Sequence, residues 1–314
     1  MFKLLPSCKD YLWGGNKLKT EFGKKYDGDV LAETWELSCH PDGPSYIVGG
    51  AYDGKTLEEY LDAEGKKVLG TNCEKFDNFP VLIKFIDAKG NLSIQVHPSD
   101  EYALKNENQY GKTAMWYVVD CEEGASLYFG FAKEISQEEF AQRIHDNTLL
   151  EVLNKVPVKK GDVFFIESGT LHAIGEGILI AEIQQNSNVT YRVYDYGRVG
   201  ADGKPRQLHV EQAIKVTNRE VSAPKSYAPH LGRCKYLNVD KVVLDGKCMQ
   251  KISGNIDETS FLHILVLDGD ATIENGGETI TVKKGDSVFL PADAGAYMVQ
   301  GELEALFTTI PEEQ

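Results

Sequence analysis

The run KKGDVFFIESGTLHA at 159–173 recurs as KKGDSVFLPADAGAY at 283–297, 124 residues further on. Each copy begins with a Gly-Asp turn, continues as a short apolar run and ends in a second turn, the pattern of one β-strand between two tight connections. A chain that repeats such a unit at this separation is constrained to two related β modules. The first copy ends on His172, whereas the second has Ala296 in that place. By this pattern, only the first module presents an imidazole after its turn. The seam is expected in SAPKSYAPHLGR (222–233), where Pro224 and Pro229 interrupt the strand patterning. This gives a larger β unit with helical insertions over 1–226 and a smaller β unit lacking that imidazole over 227–314.

Other runs share the β character. PVLIKFIDA (80–88), AMWYVVD (114–120), ASLYFGF (125–131), GDVFFIE (161–167) and GILIAEIQQ (177–185) are apolar, rich in β-branched and aromatic residues, and bounded by Gly, Asp, Asn or Pro. Helices are few. Thr56-Leu57-Glu58-Glu59 is a capping box opening a helix to about Asp62, Ser136-Gln137-Glu138-Glu139 opens a longer one, and Pro98-Ser99-Asp100-Glu101 starts a short one. With 42% hydrophobic and 26% charged residues, 314 residues suffice for one large or two moderate domains. The net charge of −15 argues against nucleic-acid or membrane-surface partners, which require a broad basic face. Six cysteines without CxxC spacing read as reduced thiols rather than a zinc finger or a disulfide framework. The opening MFKLLPSCKDYLWGG has too short an apolar run for secretion, and no stretch approaches the ~20 apolar residues of a membrane span, so a cytoplasmic location is expected.

The stretch SIQVHPSD (93–100) raises a chemical question. Gln95 and His97 are two apart, so in a strand they share one face while Ile94 and Val96 take the other. Alone, such a pair is more often a hydrogen-bonded surface feature than a metal site. The first repeat copy, however, resembles the second sequence motif of the cupins, Gly-(five residues)-Pro-x-Gly-x-x-His. Gly161, Gly169 and His172 match, and Glu167 stands where proline is usual. Longer stretches resemble the type I phosphomannose isomerases in their short bacterial form: YLWGGNKL (11–18), SCHPDGPS (38–45), SIQVHPSD, GKTAMWYVVD (111–120), SGTLHAIGEG (168–177), QQNSNVTYRVYDYGR (184–198) and RQLH (206–209). The resemblance implies a mostly β, double-cupin fold of two jelly-roll barrel modules. It also implies a metal-dependent aldose–ketose isomerase acting on mannose 6-phosphate and fructose 6-phosphate, with one Zn²⁺ per chain.

Residue by residue, the resemblance places the metal ligands on Gln95, His97 and His172, the active-site arginine on Arg192 and the lysine of a Gly-Lys-Thr-Glu run on Lys112. Neutral oxygen and nitrogen donors of this kind suit zinc. The Glu of that run, a metal ligand in the family, is Ala114 here. Without a carboxylate, the ligand set leaves the ion's double charge uncompensated. Even an outer-shell loss commonly costs ~10–100-fold in affinity or activity, and losing the carboxylate itself costs at least that. Glu182, and after it Glu167, are the acids that could take its place. For the proton transfer, Glu182, His97 or a metal-bound water are candidate bases. Lys112, Arg192, Lys84 and Arg198 are the cations available to the sugar phosphate. His209, beside the matched RQLH, is a further candidate for the pocket. His40, His145, His230 and His263 have no catalytic pattern around them. The alternative function is a catalytically impaired double-cupin protein that binds sugar phosphate without turning it over.

Overall fold

A computed structural model of the chain describes residues 1–200, 203–222 and 225–312. The expected seam is therefore described except at 223 and 224, which lie outside the described residues. Three sheets carry the structure, and every strand pairing in them is antiparallel. A six-stranded sheet runs in the order Val163–Ile166, Ala114–Cys121, Ile178–Gln185, Val81–Ala88, Glu33–Leu37, Ser7–Lys9. A five-stranded sheet runs Tyr191–Tyr194, Ile94–Val96, His172–Ala173, Ser126–Phe131, Leu153–Pro157. A nine-stranded sheet holds the C-terminal strands from Gly232–Cys234 to Gly295–Thr309 and is extended by Phe2–Leu5 and Tyr46–Val48. Two N-terminal strands thus pair within the C-terminal sheet.

The six-stranded sheet is the central layer, and side-chain parity shows why its strands read as continuous apolar runs. Val81, Ile83 and Phe85, Met115, Tyr117 and Val119, and Leu179, Ala181 and Ile183 all join one core with Leu237, Leu265, Phe289 and Leu306 of the nine-stranded sheet. The alternate residues Ile86 and Ala88, Ala114, Trp116 and Val118, and Ile178 and Ile180 join a second core with Leu127 and Ile174 on the five-stranded side. A strand covered on both faces has no solvent side on which to alternate. Val81–Ala88 is accordingly buried at every position, although it contains Lys84 and Asp87. The polar residues of the second face are thereby committed to the space between two sheets. On the far side of the five-stranded sheet, Ile94, Val96, Tyr191 and Val193 pack against Phe140 and Ala213 from the helices Gln137–His145 and Val210–Val216.

The capping reading holds in detail. Thr56 Oγ1 accepts from Glu59 N (3.1 Å) while Glu59 Oε2 accepts from Thr56 N (2.8 Å), and the helix runs Leu57–Glu64. Ser136 Oγ accepts from Glu139 N (3.1 Å), and Ser99 caps Asp100–Asn106. The repeated Lys-Lys-Gly-Asp runs form the same turn twice: Lys159 N donates to Asp162 Oδ2 (2.9 Å) and Lys283 N to Asp286 Oδ2 (3.0 Å), with Gly161 and Gly285 both at φ +90°. The fold is cupin-like, with one correction to the expectation of barrels. The hydrogen-bonded ladders of the described residues stay open, and facing sheets enclose the interior through side-chain contact. The physical reason is that the central sheet packs on both faces and cannot curl around either partner. No helix among the described residues is long and apolar enough to cross a membrane.

Gly111 is placed by close approach rather than by backbone conformation. A Cβ there would lie 2.4 Å from Ser99 C and 2.5 Å from Asp100 N. Gly111→Ala is therefore expected to lower stability by about 1–3 kcal/mol, since backbone must move to admit the methyl. The check is a urea titration in which the midpoint falls at unchanged slope.

Candidate active site

Two rows of side chains face each other across the space between the six- and five-stranded sheets. On the five-stranded side, His172 pairs with Gln95, and Gln95 pairs with Arg192 on its other flank. Directly opposed residues on neighbouring strands point to the same face, so His172, Gln95 and Arg192 form one continuous row. His97 follows two residues after Gln95 on that face. On the six-stranded side the row is Trp116, Glu182, Lys84 and Trp35, again by register. Between the rows lies a cavity of about 260 Å³, lined by Lys84, Trp116, Glu182, Gln95, Lys112 and Arg192 among others. The YLWGG loop forms part of its wall with Tyr11 and Trp13, and Gly15 N donates to Asp87 O (3.1 Å) to hold the loop to the sheet.

The imidazoles lie beside this lining, and their outer nitrogens are already committed. His172 packs edge-on against Trp116 (ring centroids 5.2 Å) and lies 4.7 Å from the ring of His97. His97 Nδ1 meets Val189 O at 3.0 Å, and His172 Nδ1 meets Thr170 O at 2.8 Å. A carbonyl only accepts, so each Nδ1 carries the proton and each Nε2 carries a lone pair. Both Nε2 atoms are buried without a hydrogen-bond partner. Burial, reinforced by Lys112, pushes both imidazoles down, His172 to about 4 and His97 well below its ordinary value. Two buried neutral imidazoles with lone pairs free and Nδ1 held by backbone carbonyls are what a divalent metal requires of its ligands and their second shell. The Gln95 amide oxygen is the third donor of the same face. Among the described residues no three His, Cys, Asp or Glu side chains gather to hold a metal.

The electrostatics of the opposite row are strongly coupled. Glu182 Oε1 accepts from Trp116 Nε1 (2.7 Å), and Glu182 Oε2 lies 3.6 Å from Lys112 Nζ and 3.8 Å from Lys84 Nζ. Lys84 is also 3.3 Å from Glu33 Oε2 and 4.5 Å over the ring of Trp35. Burial alone raises a carboxyl, but the two lysines and Trp116 outweigh it and hold Glu182 below the usual carboxylate range. Burial, together with the charge of Lys84, lowers the Lys112 ammonium to about 8, although Glu182 and Glu33 oppose the shift. Four cations, Lys84, Lys112, Arg192 and Arg206, share the cavity with two carboxylates, Glu33 and Glu182. The excess of two positive charges suits a dianion such as a phosphate monoester.

The structure brings together Gln95, His97, His172, Lys84, Lys112, Glu182 and Arg192, all named from the sequence. It separates two others. Arg198 does not line the cavity; its guanidinium is spent on Asp195 Oδ1 (2.5 Å) and the carbonyl of Asn91. Glu167 is half exposed and bound to Lys225 Nζ (2.6 Å), so it is not the replacement carboxylate. The reason in both cases is strand parity and turn direction, which single-residue spacing does not report. His209 stays outside the lining and braces it, its Nδ1 accepting from Arg192 N at 3.3 Å. Sequence reasoning missed Glu33 and Arg206. Arg206 lay within a matched stretch, whereas Glu33 lies in Glu33–Leu37, a strand of mixed polar and apolar residues that no sequence signal singled out.

Comparison with known proteins agrees with this geometry. Residues 1–121 match the family model for the phosphomannose isomerase type I catalytic domain, and residues 230–310 match that for the mannose-6-phosphate isomerase cupin domain. A mannose-6-phosphate isomerase of Streptococcus mutans is 38% identical over 301 residues, covering 94% of this chain and 93% of its own. The chain belongs to the type I phosphomannose isomerases. A second relative, from Bacillus subtilis, is 37% identical over 313 residues, with 96% of each chain covered. The crystal structure of a Bacillus subtilis mannose 6-phosphate isomerase superimposes with a TM-score of 0.89 at 34% identity, covering 98% of both chains. A mannose 6-phosphate isomerase bound with zinc and yttrium shares the fold, with a TM-score of 0.79 at 17% identity over the full length of both.

Within the phosphomannose isomerase pattern, Ala114 is fully buried. It sits on the cavity face between Ile166 and Gln184 of the flanking strands. The nearest matching acid, Glu182, is opposite Trp116 and is held by Trp116 and two lysines. The coupling in this row is directly measurable. In NMR titration of ¹³C-dimethylated lysines, Lys112 is expected to titrate near pH 8, below the exposed lysines. Because Glu182 raises the Lys112 value, Glu182→Gln is expected to move that titration further down.

Proposed function

We propose that this isomerase interconverts mannose 6-phosphate and fructose 6-phosphate through a cis-enediol, with the whole active site supplied by 1–226 and the chain acting in the cytoplasm. The observation that carries the reading is the pair of facing rows, His172–Gln95–Arg192 and Trp116–Glu182–Lys84, with Lys112 between them. One Zn²⁺ per chain would be held by Gln95, His97 and His172, and when bound it supplies Lewis-acid polarisation of a substrate oxygen. The chain's own residues account for the remaining steps. Arg206, already oriented by a bidentate contact to Asp195 (2.6 and 2.8 Å), and Arg192 take the phosphate end and hold the open chain. Glu182 removes the proton from C2 of the aldose and returns it to C1. Trp116 and the two lysines fix the direction of its lone pairs. Lys112, with its ammonium at about 8, hydrogen-bonds the C1 oxygen as negative charge develops on it and gives it a proton, and takes a proton back from the C2 hydroxyl as that oxygen becomes the ketose carbonyl. Lys84 holds Glu182 and Glu33 apart in charge rather than touching the phosphate.

A second reading is supported by one feature. Ala114 leaves the metal with neutral donors only, so a chain that binds sugar phosphate with little turnover is the alternative. Metal content per chain, measured by elemental analysis on the sample used for the isomerase assay with added Zn²⁺, separates the two. The isomerase reading expects zinc and turnover, with Ala114→Glu tightening Zn²⁺ by about 10-fold or more. Little metal and no turnover, both restored by Ala114→Glu, would establish the disabled binder. Turnover absent from both chains with zinc bound would remove the isomerase reading. Within the first reading, Arg206→Ala is expected to raise KM for mannose 6-phosphate by roughly 10–100-fold, as loss of a hydrogen bond to a charged group does.

A further inference from the structure

The buried side-chain atoms of the described residues that lack a hydrogen-bond partner include Nε2 of His97, Nε2 of His172 and Oε1 of Gln184. Gln184 lies on the cavity face of its strand by the parity that puts Ile183 in the opposite core, two residues beyond Glu182. Its cross-strand partner is Ala114. Same-face partners on neighbouring antiparallel strands have Cβ atoms about 4.5–5.5 Å apart. The side chain of Gln184 therefore starts beside the methyl that stands where the family carries its ligand carboxylate.

The amide orientation of Gln184 follows from its donors. Its Nε2 donates to Gln185 O (2.8 Å) and Ser187 O (2.7 Å), which uses both N–H groups and leaves Oε1 as the free end. The same turn holds the ring of His97 through Val189 O (3.0 Å). Gln184 and His97 are thus anchored on one short segment, and each turns its unused acceptor away from it. A buried carbonyl oxygen without a donor is costly, and so is a buried imidazole lone pair. A cation satisfies all of them together. We propose that the Oε1 of Gln184 is a metal ligand in this chain, occupying the coordination position that Ala114 leaves without a donor. The donor set becomes two amide oxygens, Gln95 and Gln184, and two imidazoles, His97 and His172. It is four-coordinate, neutral and compatible with Zn²⁺.

This inference rests on the metal reading above, and the test keeps the two apart. Zn²⁺ affinity is measured by chelator competition on the full chain, and Co²⁺ spectra report coordination. Gln184→Leu removes the oxygen and both N–H donors. Gln184→Glu keeps an oxygen at the same reach but also loses the N–H donors to Gln185 O and Ser187 O. If Oε1 is a ligand, Gln184→Leu weakens Zn²⁺ by about 10-fold or more, while Gln184→Glu binds at least as tightly as the natural chain because a carboxylate adds charge. The Co²⁺ absorption band then shifts in Gln184→Leu and stays in Gln184→Glu. If Gln184 only anchors the turn, both variants weaken together, and the proposal is overturned. Unchanged affinity in Gln184→Leu overturns it as well. In the Ala114→Glu background, Gln184→Leu is expected to cost little, which also shows that the variant folds. A natural chain that binds no Zn²⁺ at all would bring down the metal reading itself along with this inference.

Discussion

The buried ladder Trp35–Lys84–Glu182–Trp116 is the constraint on which the rest of the site depends. Four strands of the central sheet contribute one member each, so the ladder exists only when the register of all three pairings is right. Taking an ammonium and a carboxylate out of water costs several kcal/mol per ion, and removing one partner of such a pair costs about 3–5 kcal/mol. A one-residue slip would send Lys84 and Glu182 into the apolar core against Leu265 and Phe289. The ladder therefore selects register as much as it supports chemistry. Its depressed Glu182 and lowered Lys112 follow from the same arrangement: two lysines share one carboxylate in a space with little water.

Charge is divided between the two rows. The central-sheet side holds ionised groups, while the facing side holds neutral imidazoles and an amide beside Arg192. On the central-sheet side, Ala114 packs with Trp116 and Ile166. Glu182 is held by Trp116, which also packs against His172, and is shared with two lysines. The outward nitrogens of both imidazoles are held by backbone carbonyls of Val189 and Thr170 rather than by anything near Ala114.

The nine-stranded sheet contributes no side chain to the cavity lining, yet it covers the opposite face of the central sheet. Tyr117 links the two: its hydroxyl donates to Glu304 Oε1 (2.7 Å) and accepts from Lys241 Nζ (2.7 Å). Tyr117 neighbours Trp116 in sequence and points the other way. Tyr236 of the same sheet reaches Asp100, which also accepts from Gly111 N (2.9 Å) next to Lys112. The C-terminal unit thus supports the backbone from which Lys112 projects.

Much of this was legible from residue order. The alternation of Ile94, Gln95, Val96 and His97 placed two donors on one face before any fold was known, because the period of a strand is two. The repeated Lys-Lys-Gly-Asp run announced a turn that forms twice, and Thr56 and Ser136 announced their helices, because those signals act over three or four residues. The stretches around Gln95, Lys112, His172 and Arg192 were long enough to show the family. What the chain order did not contain was distance. Arg198 was named from the sequence and Arg206 was not, yet Arg206 lines the cavity while Arg198 is spent on Asp195 and Asn91, and Glu167, ranked after Glu182, lies at the surface bound to Lys225. Glu33 entered the cavity, and Gln184 came to lie beside Ala114, only through the pairing of strands that are distant in sequence. By itself the sequence determined which residue types could do the chemistry and which strand face each would share with its near neighbours. Only the tertiary structure decided which faces meet, because register between remote strands is set by burial of the whole sheet and not by any local run.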